Sequence, residues 1–362
     1  MARIAICNPS IETGDAVSHD MMGMYAALSG LGHEVYLFSL QSSIRAPYIR
    51  PIEKMKDFLE SVQDLLVYHY ATGWDFGLEL LRSLRCRKVI KFHNVTPPEF
   101  YEGINSDYVN VCRAGRQHLT ELARIDADLY LPCSKYSLND LVEAGVDDEK
   151  CKVVPPFHMI DRLKSIDANL KELQRYQDGE INILGVGRLA PNKNHRILIE
   201  TFEIYYRKYH PQSRLLIVGG EDPKLRVYGQ FLRNIVKEMD LEGKVIFTGK
   251  ATDEALKAYY LAAHVFLMTS LHEGFCVPLV EAMSMKIPIV AYGSTAVPET
   301  LGKAGFVWDE CDPELLAASI HKVVEEDYLQ IALGEMGWDR YNHFFTNGKI
   351  KNLFLETLKD LL

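Results

Sequence analysis

The chain alternates short apolar runs with stretches of helical period, and it does so in two successive series. The first series runs as strand Arg3 to Cys7, helix Ser18 to Gly32, strand Glu34 to Leu40, a helix near Met55, strand Leu65 to Tyr70, helix Trp74 to Leu84 and strand Val89 to Phe92. A helix from about Tyr108 to Ile125, the strand Asp128 to Cys133, a helix from Tyr136 to Ala144 stopped by Gly145, and the strand Lys152 to Val154 complete it. Strands separated by crossover helices lie parallel, and a parallel sheet needs both faces covered, so this pattern predicts a doubly wound α/β domain.

Pro155 and Pro156 interrupt the pattern, and Asp178-Gly179 is a turn signal. The rhythm then restarts with Ile181 to Val186, a helix His195 to Tyr209, Arg214 to Val218, a helix Leu225 to Met239, Val245 to Thr248, a helix Asp253 to Ala262, Val265 to Thr269, a helix Pro278 to Met285, and Pro288 to Ala291. The expected organisation is a first domain over 1–156, a linker over 157–178, a second domain over 179–340 and a terminal segment over 341–362. That last segment carries Ile350, Leu353, Phe354, Leu358 and Leu361 at helical spacing, a face that must be buried. A chain of 362 residues suits two such domains, with a cleft between them as the default place for chemistry.

A formal net charge of −9 argues against bulk attraction to nucleic acid. The seven cysteines, Cys7, Cys86, Cys112, Cys133, Cys151, Cys276 and Cys311, are scattered without a C-x-x-C pair and read as reduced residues of a cytosolic protein. The start, Met1-Ala2-Arg3-Ile4-Ala5-Ile6, enters a strand directly, and no apolar run approaches membrane-spanning length, so the expected location is cytoplasmic. Arg82, Arg85, Arg87, Lys88 and Lys91 are close enough in sequence to meet anionic headgroups at the inner membrane face, although a solvated helix end is the commoner meaning of such a cluster.

Two stretches carry the chemistry, each following a strand and opening a helix. Glu273-Gly274-Phe275-Cys276-Val277-Pro278-Leu279-Val280-Glu281 places a helix start, which favours phosphate, between two acids able to accept hydrogen bonds from hydroxyls. Glu273 falls in the loop, and Glu281 is expected in the first helical turn. Two spaced glutamates alone more often mean a dipole-complementing acid and a solvated one. Gly185-Val186-Gly187-Arg188-Leu189-Ala190-Pro191-Asn192-Lys193-Asn194 supplies a guanidinium and an ammonium at another strand end, able to compensate a diphosphate. It lacks the third glycine of the dinucleotide fingerprint, and alone its cations would usually be solvated. Asp126-Ala127-Asp128 imitates a metal-binding pair but sits where a strand begins, the wrong edge for ligands, and no His or Cys spacing suggests a metal.

With both stretches together the chain resembles the family 4 glycosyltransferases, retaining enzymes of the GT-B fold that include bacterial surface-polysaccharide mannosyl- and glucosyltransferases. The likeness is strongest from Val265 through Pro313, through Ser270, Glu273 to Glu281, Ala282-Met283, Pro288, Pro298-Glu299 and Asp312-Pro313. It implies two Rossmann-like domains facing each other across a cleft, and a terminal helix returning to the first. It further implies that Arg188 and Lys193 hold a donor diphosphate, that Glu273 with the backbone of Gly274, Phe275 and Cys276 holds the sugar, and that Glu281 holds the ribose. Gly187 and Val277 join that donor seat, and backbone near Lys250 and Ala251 meets the base. In the first domain Lys91-Phe92-His93-Asn94 resembles the family's histidine loop, with His93 acting by its main-chain carbonyl or its ring on the developing oxocarbenium ion. Gly14-Asp15, near Thr13 and His19, resembles the glycine-rich loop, with Asp15 where a second glycine usually stands. Pro156-Phe157-His158-Met159-Ile160-Asp161 departs from the family's usual hinge.

The function the resemblance implies is retaining, metal-independent, front-face transfer of a hexose from a GDP- or UDP-linked donor to a saccharide or lipid-linked acceptor, with no cofactor. A nucleotide-sugar epimerase or a sugar-phosphate synthase on the same fold, and a non-catalytic nucleotide-sugar binder, remain alternatives.

Overall fold

The computed structural model describes residues 2–362. The chain divides into two compact units, the first made of Met1–Glu99, Asp107–Met159 and Phe345–Leu362, the second of Phe100–Ser106 and Ile160–Phe344.

In the first unit the strands are β1 (Arg3–Cys7), β2 (Ser10–Ile11), β3 (Glu34–Ser39), β4 (Gln41–Ser42), β5 (Ile49–Pro51), β6 (Leu65–Tyr70), β7 (Arg87–Phe92) and β8 (Leu129–Pro132). Six of them form one sheet in the order β5-β3-β1-β6-β7-β8, every ladder parallel, while β2 and β4 pair separately. Alternation along β1 sends Ala5 and Cys7 to one face with Leu81, Leu119 and Leu122, and Ile4 and Ile6 to the other with Met21, Met24 and Leu28. Ile350, Phe354 and Leu358 of the terminal helix Asn347–Leu358 belong to that second face, where their apolar stripe is buried.

The second unit carries β9 (Ile181–Val186), β10 (Ser213–Val218), β11 (Val245–Gly249), β12 (Val265–Met268), β13 (Ile289–Tyr292) and β14 (Phe306–Trp308), in the order β11-β10-β9-β12-β13-β14, again all parallel. Ile183, Leu215, Ile217 and Val265 pack on Leu198, Phe202, Leu232, Leu316 and Ile320 from helices on one face. Both main sheets follow the doubly wound order in which the direction of strand addition reverses once, between β1 and β6 and between β9 and β12. Ligands of such sheets bind at the carboxyl ends beside that reversal.

Several sequence expectations are corrected. Lys152 to Val154 is not a strand: Lys152 N and Val154 N donate to Tyr130 O and Pro132 O at 2.9 Å each, but Pro155 and Pro156 stop the ladder there. The 157–178 stretch holds two helices, Ile160–Ser165 and Leu170–Tyr176, within the second unit. The two places where the chain leaves and re-enters the first unit are tied together. His158 N and Asn347 Nδ2 donate to Asn347 Oδ1 and His158 O at 3.3 and 2.9 Å, and His158 Nε2 lies 2.7 Å from Phe345 O. The basic cluster of the first domain is divided, with Arg82 and Arg85 exposed. Arg82 pairs with Glu121, Arg87 binds Leu361 O at 2.7 Å, and Lys91 is fully buried. No helix among the described residues is long and apolar enough to cross a membrane.

Candidate functional site

The loops after β9 and β12, neighbours across the reversal point, are bound to each other. Leu271 N donates to Asn192 O at 2.8 Å, Asn192 Nδ2 to His272 O at 3.2 Å, and Thr269 Oγ1 to Asn194 O at 3.2 Å. Asn194 holds the left-handed turn, φ 52°, that ends the Pro191–Lys193 turn and starts the helix His195–Lys208. This brings Lys193 Nζ within 2.6 Å of Glu273 Oε1, with the side chains 22% and 8% exposed. Burial opposes the ammonium charge, but Glu273 outweighs it and holds Lys193 above its ordinary value, against the repulsion of nearby Arg188. The site thus holds a charged lysine, a carboxylate and an exposed guanidinium at one sheet edge.

Glu273 is placed from behind. Its N–H donates to Thr295 Oγ1 at 2.9 Å, and Ser294 Oγ donates to Ser270 O at 2.5 Å. Beyond it Thr300 Oγ1 donates to Phe275 O at 2.6 Å, and Cys276 adopts φ 75° as the N-cap of the helix Val277–Ser284, with no side-chain hydrogen bond capping that start. A left-handed non-glycine residue at a helix start is strained backbone of the kind that clusters at ligand sites. Glu281 is the fifth residue of that helix, so the expected first-turn, dipole-stabilised position is corrected. Its carboxylate instead accepts from Tyr260 Oη at 2.6 Å, and burial, aided by Asp253, pushes it above the usual carboxylate range despite that hydrogen bond.

The loops after β9 and β10 meet closely because two glycines abut. A Cβ on Gly219, just after β10, would lie 2.0 Å from Gly187 O and 3.1 Å from Arg188 N, both backbone atoms that no rotamer change can move. Gly219→Ala is therefore expected to cost about 1–3 kcal/mol in denaturant unfolding, as overpacking does, and an unchanged midpoint would disprove the close approach. Lys250 and Ala251 follow β11 at the same sheet edge, and a Cβ on Gly220 would lie 3.6 Å from Lys250 Cβ. No sequence pattern marks Phe100–Ser106 as part of this unit, where Tyr101 Oη reaches Asn192 Oδ1 at 3.5 Å and Asn105 Nδ2 reaches Lys224 O at 3.1 Å.

The remaining expected site residues, Gly14, Asp15 and His93, belong to the first unit. Asp15 is the N-cap of the helix Ala16–Ser29: its Oδ2 accepts from Ser18 N and Ser18 Oγ at 2.8 Å each. Its side chain is thereby committed to the helix, leaving the backbone around Gly14, φ 80°, as what this loop can offer a ligand. His93 directly follows β7, with Nε2 2.9 Å from His69 Nδ1 and Nδ1 3.6 Å from Cys133 Sγ. Burial, with His69 and Lys91 adding to it, pushes His93 well below the ordinary histidine value, so the ring is neutral. Among the described residues one group could chelate a metal, Asp20, His69 and His93, with ligand atoms within 4.8 Å of one another. The Lys91 ammonium, 3.8 Å from Asp20 Oδ2, already supplies a cation there, and a divalent ion in the same dry space would meet strong repulsion. Asp126-Ala127-Asp128 does structural work: Asp128 Oδ2 accepts from Lys88 N at 2.7 Å.

Residues 167–338 match the family model of glycosyl transferases group 1. The chain is 29% identical over 229 residues to mannosylfructose-phosphate synthase of Agrobacterium fabrum, covering 60% of this chain and 50% of that protein. It is 31% identical over 159 residues to O-antigen chain mannosyltransferase B of Escherichia coli, covering 44% and 41%. The matches thus span about half the length of these curated relatives. In fold it is similar to Anabaena Alr3699/HepE in complex with UDP and glucose, with TM-score 0.78 at 18% identity, covering 99% of this chain and 100% of that one. Sucrose-phosphate synthase from Thermosynechococcus elongatus gives TM-score 0.77 at 19% identity, covering 100% and 99%. Residues 167–338, the stretch that matches the glycosyl transferases group 1 model, lie on the second of two Rossmann-like units, and the fold is of the GT-B class.

Proposed function

We propose that this protein is a retaining glycosyltransferase of the family 4 type that moves a hexose from a UDP- or GDP-linked donor to a saccharide or lipid-linked acceptor. The observation that carries the reading is the Lys193–Glu273 pair at 2.6 Å, set at the reversal point beside Arg188 and the uncapped start of the helix Val277–Ser284. In this reading the donor's diphosphate lies against Arg188, Lys193 and the amides of that helix start. The sugar hydroxyls meet Glu273, the ribose meets Glu281, and the base meets backbone near Lys250 and Ala251.

The acceptor hydroxyl attacks the face from which the diphosphate departs, the new glycosidic bond forms as the sugar–phosphate bond breaks, and a phosphate oxygen takes the hydroxyl proton. Lys193 and Arg188 stabilise charge growing on the leaving group, the role a metal ion fills elsewhere, so the reaction proceeds without one. Support for sugar transfer comes from the family match over 167–338 and from relatives named for mannosyl transfer and for a sugar phosphate product. The test is to incubate the protein with UDP- and GDP-hexoses and a panel of acceptors in chelator, and to read released nucleoside diphosphate and the anomeric configuration by NMR. Release that needs acceptor and retains configuration supports the reading. Conversion of donor alone would instead indicate an epimerase, and binding without any turnover a sensor.

A further inference from the structure

His93 is ringed by buried groups that no motif marks. Asp20, on the helix Ala16–Ser29, is fully buried; its Oδ1 accepts from Phe157 N at 2.8 Å, and its Oδ2 has no hydrogen-bond partner within bonding distance. That second oxygen faces three nitrogens, His93 Nε2 at 3.5 Å, Lys91 Nζ at 3.8 Å and His69 Nδ1 at 3.9 Å. The groups come from four elements: Asp20 from the helix after β1, His69 from β6, Lys91 and His93 from β7 and its end, and Cys133 from the end of β8. Lys91 Nζ also donates to Val154 O.

A proton count decides the arrangement. Both imidazoles are neutral, His69 because burial and then Lys91 push it well down, so each carries a single N–H. Only one proton fits between His69 Nδ1 and His93 Nε2. If His93 Nε2 carries it, that N–H also lies on the side of the otherwise unserved Asp20 oxygen, 3.5 Å away, while His69 keeps its own proton on Nε2, a buried nitrogen without a partner. His93 Nδ1 is then bare and faces the Cys133 thiol, which burial keeps protonated. If His69 Nδ1 carries it instead, His93 turns a bare nitrogen towards a carboxylate, and two acceptors confront each other. A bare nitrogen held against an anion in dry surroundings costs more than one unserved imidazole N–H, so the anionic carboxylate selects the first arrangement.

We infer that Asp20, with Lys91 as its counter-ion, is a positioning residue that fixes the tautomer and ring orientation of His93, with Nε2–H turned inward and Nδ1 against Cys133. Both ring nitrogens are thereby used inside the first unit, and the part of His93 left for a substrate is its main-chain carbonyl and the ring edge. The inference rests on the transferase reading for its kinetic consequence, but the placement of the proton stands independently.

The test uses the full chain labelled at histidine nitrogens, with long-range proton–nitrogen spectra, and kinetics with the donor that turns over. Wild type is expected to show His93 protonated at Nε2 and bare at Nδ1 from pH 7 to pH 8. Asp20→Asn combined with Lys91→Met keeps the pair neutral and offers an amide N–H where the carboxylate oxygen stood. The His93 tautomer should then reverse, and kcat should fall on the order of 10-fold to 100-fold, with the KM for donor unchanged. A His93 protonated at Nδ1 in wild type would overturn the inference. So would a double variant that folds and keeps both the wild-type tautomer and kcat, or a wild-type tautomer in Asp20→Asn alone should the double variant fail to fold. Absence of transfer by wild type would remove the functional reading and leave the spectra to decide the proton.

Discussion

Lys193→Ala is expected to lower kcat on the order of 10²-fold to 10³-fold, the cost of losing one preorganised contact to charge that develops in the transition state. The ammonium is fixed by Glu273 at 2.6 Å and by the turn Pro191–Lys193, which hold its charge at one point of the sheet edge. Because the lost contact strengthens as the diphosphate departs, kcat and kcat/KM should fall together. Circular dichroism should confirm that the variant is folded. The pH dependence has a definite sign. Glu273 holds Lys193 above its ordinary value near 10.5, so its charge persists to alkaline pH, and Lys193 should add no limb to the rate profile between pH 6 and pH 9. Its contribution to stability is present below the ordinary lysine range and is lost only as pH rises through the raised value. Near-normal turnover by Lys193→Ala would remove the ion pair from the mechanism.

Lys91→Met is expected to destabilise the chain by about 3–5 kcal/mol near pH 8, because it strands a fully buried carboxylate without its cation. Burial pushes Asp20 up to about 6 even with Lys91 opposing the shift. A folded-state value above the unfolded one means that the carboxyl's contribution is greatest when protonated and is lost as pH rises through about 6. Without Lys91 the carboxyl rises further still, so the penalty of Lys91→Met should shrink as pH falls from 8 towards about 6 and level off below it, and adding Asp20→Asn should recover much of it at pH 8. Denaturant unfolding of both variants across that pH range measures it. A flat penalty would mean that the lost Val154 O hydrogen bond, not the charge, is responsible.

The fold was legible where burial is continuous. Leu65–Tyr70 and Ile181–Val186 stand in the sequence as apolar runs because strands at the middle of a parallel sheet are covered on both faces. The edge strands Ile49–Pro51 and Phe306–Trp308 are three residues each and only partly buried, so alternation gave no signal there. Lys91 shows the deeper limit. Among neighbouring basic residues it reads as surface charge, and only the tertiary approach of Asp20, distant in sequence, makes its burial tolerable. The candidate site was legible as strand–loop–helix junctions carrying Arg188, Lys193 and Glu273. The direct pairing of Lys193 with Glu273 was not, because it depends on β9 and β12 being neighbours. Glu281 was placed by a local helix rule and Asp15 by the family resemblance, and their actual partners, Tyr260 and the amide of Ser18, follow from a helix contact and a two-residue difference in where a helix begins.

The most direct test of the diphosphate seat is calorimetric titration of UDP and GDP, each against its monophosphate, into wild type and Arg188→Ala/Lys193→Ala in chelator. At least one diphosphate should bind wild type about tenfold or more tightly than its monophosphate, a difference of about 1.4 kcal/mol, and the double variant should lose that advantage. Equal affinities for the two nucleotides in wild type, or an advantage that survives the loss of both cations, would contradict the account.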